Sequence, residues 1–352
     1  YNPSTLDAVL TGLQRLGCVA QTASGELSCA PDLQTMALQD AASQGILCHL
    51  AEAVHSVEGV DLHSGMVFPR SFHNALRMLR IALLAGWGAE RVRKRLRLCA
   101  DHRDFQQQHP YLTICARPFD AARFALLDRQ VQEEVLVELL SDCVTHPESA
   151  RALGDCAQGL LALPIGHHPP FILACAEHCL LRGQLDQAAA LVQTRQDING
   201  QVLRSAVMLL KGDLQAASDG FEAALKAYRQ VSGARSAIFT GLCGYLHVLA
   251  LLRSDDAKLK KRAQSYLEQA LQMPGANAST FGRLSYLNLM QSGQSAGGGT
   301  SQWLPEQTPL TELFAQLVDY WLSAPATEAQ TRSLTELLIH SEAVGFGFIA
   351  VQ

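Results

Sequence analysis

The chain has 352 residues, of which 48% are hydrophobic, 17% charged and 6% aromatic. That composition excludes an intrinsically disordered chain and a long coiled coil, and the length allows two or three domains or one extended repeat array. With 28 basic residues against 33 acidic, the formal net charge is −5. The chain as a whole is therefore no polyanion binder, and any nucleic-acid contact must be local.

The amino-terminal residues read as helix, hairpin, helix. Ser4 is a candidate cap, Leu6, Val9, Leu10, Leu13 and Leu16 recur at helical spacing, and Gly17 ends the run. CVAQ (18–21) and ELSCAP (26–31), joined by the turn TASG (22–25), predict two short strands. A second helix starts near Asp32 and carries Leu33, Met36, Ala37 and Ala41. This order resembles the last helix and wing of a winged-helix domain, and residues 1–60 are assigned to such a module. Its charge argues against DNA recognition: residues 1–40 carry one basic side chain, Arg15, against Asp7, Glu26, Asp32 and Asp40. Phosphate contacts need Lys and Arg, so packing or protein docking is the better use of the module.

Residues 61–118 form a basic helical segment. Between positions 70 and 103 stand nine basic side chains, among them Arg77, Arg80, Arg91, Arg93, Lys94, Arg95, Arg97 and Arg103, against Glu90 and Asp101, a net of +7. In AERVRKRLRLC, Val92, Leu96 and Cys99 fall at i, i+4 and i+7 and are expected to face inward, leaving the arginines outward. Three readings compete for that face: an ordinary solvated helix surface, contact with nucleic-acid phosphates, and docking on an acidic partner. Only Trp87 and Phe72 are near enough to supply aromatic stacking, so single-strand base reading is weak.

From 119 to 290 the pattern is almost entirely helical, and an internal repeat emerges. LLRGQLDQAA (180–189) returns as LLKGDLQAAS (209–218) and, less faithfully, as LLRSDDAKLKKRA (251–263). Each copy leaves one helix, turns at Gly183, Gly212 or Ser254, and starts the next helix, where alanines allow close approach. The arrangement resembles tetratricopeptide helical hairpins with irregular spacing, so this segment is expected to be an irregular α-solenoid, with a compact helical bundle as the alternative. QSGQSAGGGTSQ (291–302) reads as a flexible Gly/Ser linker. Residues 303–352 hold a helix over about 310–322, a second from Glu328 to Ala343, and a strand-like apolar end, GFGFIAVQ (345–352). A first residue that is Tyr, together with that apolar end, suggests a piece of a longer polypeptide.

Enzymatic signals are weak. No Gly-Lys dipeptide exists, which excludes a phosphate loop of the GxxxxGK[ST] kind, no GxGxxG follows a strand, and HExxH and CxxC are missing. The nearest metal constellation is His167, His168, Cys175 and Cys179, with His178 alongside. The two cysteines, four apart, would share a helix face, but the alternation in FILACAEHCLL fits a buried stripe better. The ten cysteines are read as reduced core residues of a cytoplasmic protein. No apolar run is long enough to span a membrane, and no signal peptide opens the chain.

FEAALKAYRQVSGARSAIFTGLCGYLHVLALLRSDDAKLKKRAQSYLEQAL (221–271) and LTELFAQLVDYWLSAPATEAQTRSLTELLIHSEAVGFGFIAV (310–351) resemble the helical amino-terminal region of bacterial helicases of the SWI/SNF type. In that family the ATP-driven DNA motor follows on the carboxyl side. The matching residues include no catalytic group, and the family's nucleotide-binding motifs have no counterpart here. The resemblance implies a fragment without enzymatic activity or cofactor, whose partners are a downstream ATPase motor domain and, through the basic segment, the DNA backbone. A second resemblance, to signal-transducing ATPases that carry a winged helix and a tetratricopeptide-like solenoid, implies a sensor or adaptor whose solenoid binds a protein or small ligand. The expected fold is mainly α: a winged-helix-like module followed by an irregular tetratricopeptide-like α-solenoid.

Overall fold

The computed structural model describes residues 3–21, 27–29, 44–57, 61–63, 66–68, 72–100, 109–116, 119–143, 146–272, 328–343 and 345–348, with a few single positions between them. It is mainly helical, and none of its described helices is long and apolar enough to cross a membrane. The chain divides into two compact units, Tyr1–Pro110 with Ala122–Val131, and Tyr111–Ala121 with Gln132–Gln352.

The first unit contains α1 (Pro3–Arg15), β1 (Val19–Gln21), β2 (Leu27–Cys29), α2 (Leu47–Val57), β3 (Asp61–His63), β4 (Met66–Phe68), α3 (Phe72–Leu84) and α4 (Ala89–Ala100). Helix α1 starts at Pro3, whose fixed φ and missing N–H suit a first helical position, so Ser4 lies inside the helix instead of capping it. Gly17, at φ +69°, closes it as expected. Only part of its apolar stripe is covered: Leu10 and Leu13 are half-buried, while Val9 and Leu16 are exposed. The strands β1 and β2 pair antiparallel with Val19 opposite Cys29. A second antiparallel hairpin pairs β3 with β4, Leu62 opposite Val67, at a place where the sequence was read only as helical. Three-residue strands are too short for an alternating pattern to stand out. Helix α3 packs between α2 and α4. It buries Ala75, Met78, Leu79, Ala82 and Leu83, the spacing of one helix face.

After α5 (Pro110–Cys115), which the second unit includes from Tyr111, and α6 (Ala121–Phe124), which falls mostly in the first, the second unit resumes at Gln132. It continues with α7 (Arg129–Asp142), a 3-10 turn at Pro147–Ser149, α8 (Ala150–Leu161), α9 (Pro169–Leu181), α10 (Leu185–Val192), α11 (Ile198–Leu210), α12 (Leu214–Ser232), α13 (Gly241–Arg253), α14 (Ala257–Leu271) and α15 (Glu328–Ala343). Three successive helix pairs stack: α9 with α10, α11 with α12, and α13 with α14, with α9 against α11 and α11 against α13. The two helices that read as apolar all round, α9 and α13, are buried along most of their length. Gly183 and Gly212 turn the first two pairs at φ +73° and +91°, while the third turns through Ser254 in an extended conformation. The carboxylates of Asp197, Asp213 and Asp256 accept hydrogen bonds from the backbone N–H groups of Gly200, Ala216 and Lys258 and so cap α11, α12 and α14. Each cap contributes about 1 kcal/mol. Helices α11 and α12 cross at Gly220, where a Cβ would collide with the Ser205 hydroxyl.

The GFGF stretch is a turn followed by 3-10 geometry over its described residues 345–348, in place of the expected strand. Gly345 takes φ +89°, Phe346 and Phe348 are fully buried, and Gly347 lies so close to the Arg182–Gly183 turn that a Cβ would strike the Arg182 carbonyl. Backbone packed on backbone leaves no room for a side chain, and glycine is what permits it. The linker at 291–302 and the helix expected over 310–322, apart from the helical, buried Leu313, lie outside the described residues.

Candidate functional site

The basic segment folds into the α3–α4 hairpin, turned at Gly86 with φ +63°. On α3, Arg77 and Arg80 are exposed, three residues apart. On α4, Ala89, Val92 and Cys99 are buried, and burial raises the Cys99 thiol to about 12, which leaves it inert. Taking Val92 as the inward direction and roughly 100° per residue, Lys94 and Arg97 point outward, Arg91 and Arg93 lie to the sides, and Arg95 lies nearest the core. The structure follows that geometry: Arg91, Lys94 and Arg97 are exposed, but Arg93 and Arg95 are half-buried, which corrects the expectation that the whole arginine run projects outward. Arg93 donates to Gln130 Oε1 at 3.3 Å, and the Arg95 guanidinium lies 4.0 Å from Met78 Sδ. Arg91 sits 3.5 Å over the Trp87 ring and 2.8 Å from Glu52 Oε1, and Lys94 is 3.0 Å from Glu90. Arg103 lies outside the described residues.

The metal candidates separate. The His167 imidazole is 2.9 Å from Glu133 Oε1, and the backbone N–H of His168 donates to Glu133 Oε2 at 2.8 Å, so a buried carboxylate of α7 holds the start of α9. Negative charge at a helix amino terminus is favourable. Cys175 and Cys179 do lie on a buried stripe, and burial pushes the Cys175 thiol to about 12, with the charges of Cys179 and Glu133 acting in the same direction. The Cys179 thiol donates to Gln187 Oε1 at 3.8 Å. Among the described residues, no group of three or more His, Cys, Asp and Glu side chains is placed to hold a metal ion. All ten cysteines are free, but only Cys99, Cys143, Cys175 and Cys179 are buried, fewer than a uniform core assignment expects. Beside Cys175, His178 lines a cavity of about 120 Å³ against Gly154. Burial lowers its pKa to about 4, so it is neutral at physiological pH.

A third assembly was not anticipated from the sequence. It lies where α12, α13 and α14 meet. His247 on α13 is almost completely buried and ringed by Phe221, Tyr266 and Phe239, with centroids at 5.0, 5.4 and 5.7 Å. Its Nε2 lies 3.3 Å from Glu222 Oε1 on α12. Tyr266 on α14 donates its hydroxyl to the same oxygen at 3.2 Å, and Arg262 binds Glu222 Oε2 at 2.7 Å. Burial lowers the His247 pKa, partly offset by its hydrogen bond to Glu222. Burial also pushes the Glu222 carboxyl up, but the His247 hydrogen bond, the Arg262 charge and the Tyr266 hydroxyl outweigh it and hold Glu222 below the usual carboxylate range. Above this cluster opens a cavity of about 830 Å³, lined by Glu222, Lys226, Arg229, Arg235, Arg262 and Tyr266 among others. Arg229 donates its Nε–H to the Ala237 carbonyl at 2.9 Å, and its guanidinium lies 5.4 Å from the Tyr266 ring centre.

One signal for this cavity was present: Glu222, Lys226 and Arg229 fall at i, i+4 and i+7 of a single helix, a polar stripe about 100° round the helix from the apolar one. The other half of the site lies up to 44 residues away in the chain. The pentapeptide GQSAG at 293–297 has the spelling of a hydrolase nucleophile turn. It is followed by GGTSQ instead of a helix-forming run, and it lies outside the described residues. Comparison of the chain with family models, with curated proteins and with solved structures finds no match.

Proposed function

We propose that this chain is a non-catalytic interaction region of the kind that accompanies bacterial SWI/SNF-type DNA translocases, resting on the DNA backbone through the α3–α4 hairpin. The observation that carries the reading is local. Arg77, Arg80, Arg91, Lys94 and Arg97 are all exposed on one helical hairpin, in a chain whose net charge is otherwise acidic. Clustered Lys and Arg neutralise phosphates without reading bases, which suits a region that positions a motor. The two successions of helix and hairpin, α1 with β1–β2 and α2 with β3–β4, support a winged-helix-like amino-terminal module used for packing. The stacked pairs turning at Gly183 and Gly212 support a tetratricopeptide-like solenoid that offers a surface to a protein partner. In this reading the motor domain follows on the carboxyl side, and the protein works in the cytoplasm.

The test is polarisation of labelled duplex DNA at several salt concentrations, with wild type beside a variant in which Arg77, Arg80, Arg91, Lys94 and Arg97 are replaced by Gln. Dissociation constants of about 1–100 μM at low salt are expected for backbone binding, and the slope of log K against log salt should fall by about 0.9 for each phosphate contact removed. Absence of binding at low salt, or binding unchanged in the variant, would sink the proposal.

A further inference from the structure

The cavity above Glu222 is a second concentration of positive charge, built differently from the hairpin. Four of its lining side chains are cations and one is a carboxylate. Both Glu222 oxygens are already engaged, Oε1 by His247 and Tyr266 and Oε2 by Arg262. The carboxylate therefore has little left to offer a ligand. It orients Arg262 and Tyr266 from behind, as an outer-shell partner orients the groups that make contact. Arg229 is held at the cavity wall by the Ala237 carbonyl, which takes its Nε–H, and by a hydrogen bond to Tyr266, so its guanidinium is fixed in place before a ligand arrives. Lys226 and Arg235 are exposed at the rim. The result is a surplus of three positive charges around an open cavity, held by a buried hydrogen-bonded base.

We propose that this cavity binds a small molecule bearing a diphosphate or comparable phosphoryl group, held by Arg229 and Arg262 with Lys226 and Arg235 closing over it. Guanidinium forks match phosphoryl oxygens in pairs, and the surplus charge matches a di- to trianion. The cavity of about 830 Å³ exceeds what a bare phosphate fills, so it has room for an organic remainder. Its aromatic wall, Tyr266, is overlain by Arg229 and engaged with Glu222. Recognition therefore rests on the phosphoryl charge, with no free aromatic face for stacking a base. This site is independent of whether the chain accompanies a DNA motor.

The experiment is titration calorimetry of the full chain at low salt with sodium pyrophosphate, ADP and adenosine. Three variants accompany wild type: Arg229→Gln, Lys226→Gln with Arg235→Gln, and a hairpin control in which Arg91, Lys94 and Arg97 become Gln. Pyrophosphate and ADP should bind at one site and adenosine should not. The rim pair, exposed and therefore safe for folding, should weaken binding by about tenfold or more, as should Arg229→Gln, because hydrogen bonds to charged groups are lost. The hairpin control should bind as wild type does. No heat with pyrophosphate overturns the assignment, as does equal weakening in the hairpin control. Duplex DNA binding lost in the rim variant without any pyrophosphate binding would also overturn it, making the cavity a nucleic-acid contact.

Discussion

The α3–α4 hairpin and the α12–α14 cavity both gather arginine, but by different physics. On the hairpin the cations come from neighbouring positions of two consecutive helices, where Arg91 pairs with the half-exposed Glu52 and Lys94 with the exposed Glu90. In the cavity they come from positions as far apart as Lys226 and Arg262, and Arg262 rests on a carboxylate that a buried histidine and tyrosine hold in place. A surface array costs the fold little and is screened by salt. A cavity array depends on how α12, α13 and α14 pack beneath it, even where its rim cations, Lys226 and Arg235, are exposed.

The largest effect that would break this comparison comes from the cavity's foundation. Phe221 is fully buried and stacks on His247 at 5.0 Å. Phe221→Ala should destabilise the protein by about 3–5 kcal/mol and abolish pyrophosphate binding. Denaturant unfolding followed by calorimetry checks both, and a variant of wild-type stability would show that the ring carries no core weight.

Acid is the next lever. The folded-state pKa of His178 is lowered to about 4 from an ordinary 6.5, mainly by burial, with the Arg182 charge adding to it. The unfolded chain therefore takes up the proton first. The stabilising contribution is complete above pH 6.5 and is lost as pH falls towards 4, on the order of 3 kcal/mol over that window. His178→Gln should flatten the dependence of Tm on pH between those limits. A slope unchanged in the variant would assign the acid sensitivity to other groups.

Packing at a crossing comes third. Gly220→Ala places a Cβ against the Ser205 hydroxyl and within 3.3 Å of Ser205 Cβ. Overpacking of this kind costs about 1–3 kcal/mol. Ser205→Ala alone loses only a hydrogen bond to the Gln201 carbonyl. The double variant should be more stable than Gly220→Ala alone, a coupling that a double-mutant cycle measures. Strict additivity would mean the helices part without touching at that point.

The smallest effect on stability belongs to the hairpin. Arg91→Gln removes a half-exposed pair with Glu52 and a contact over Trp87, and should cost no more than about 1 kcal/mol. Its slope for DNA binding against salt should nevertheless fall by about one phosphate's worth. A large loss of stability would recast Arg91 as a structural group.

Much of the fold was legible from local pattern. Helices α1 and α15, the hairpin at 19–29 and the turning glycines Gly183 and Gly212 were all visible, because each depends on residues within a turn or two of one another. The hairpin at 61–68 was not, since its three-residue strands carry no usable alternation. The GFGF end looked like a strand because Phe alternates with Gly. Its geometry is set instead by how closely Gly347 approaches the Arg182–Gly183 turn, a contact more than 160 residues away in the chain. His167, His168, Cys175 and Cys179 looked like one cluster in the sequence. The His167 imidazole and the His168 backbone N–H meet Glu133 while the cysteines turn into the core, because they sit on either side of a helix start.

By itself the sequence determined that the chain is predominantly helical, where its helix pairs turn, and that positive charge collects near residues 70–103. These follow from periodicity, from glycine's access to positive φ and from composition, all of which act locally. Only the tertiary structure decided that Glu222, His247, Arg262 and Tyr266 form one network beneath a cationic cavity, with His247 and Tyr266 buried and Arg262 exposed. Periodicity states which face of a helix is apolar, but not which other helix will cover it, and the chemistry of the cavity depends on that second choice.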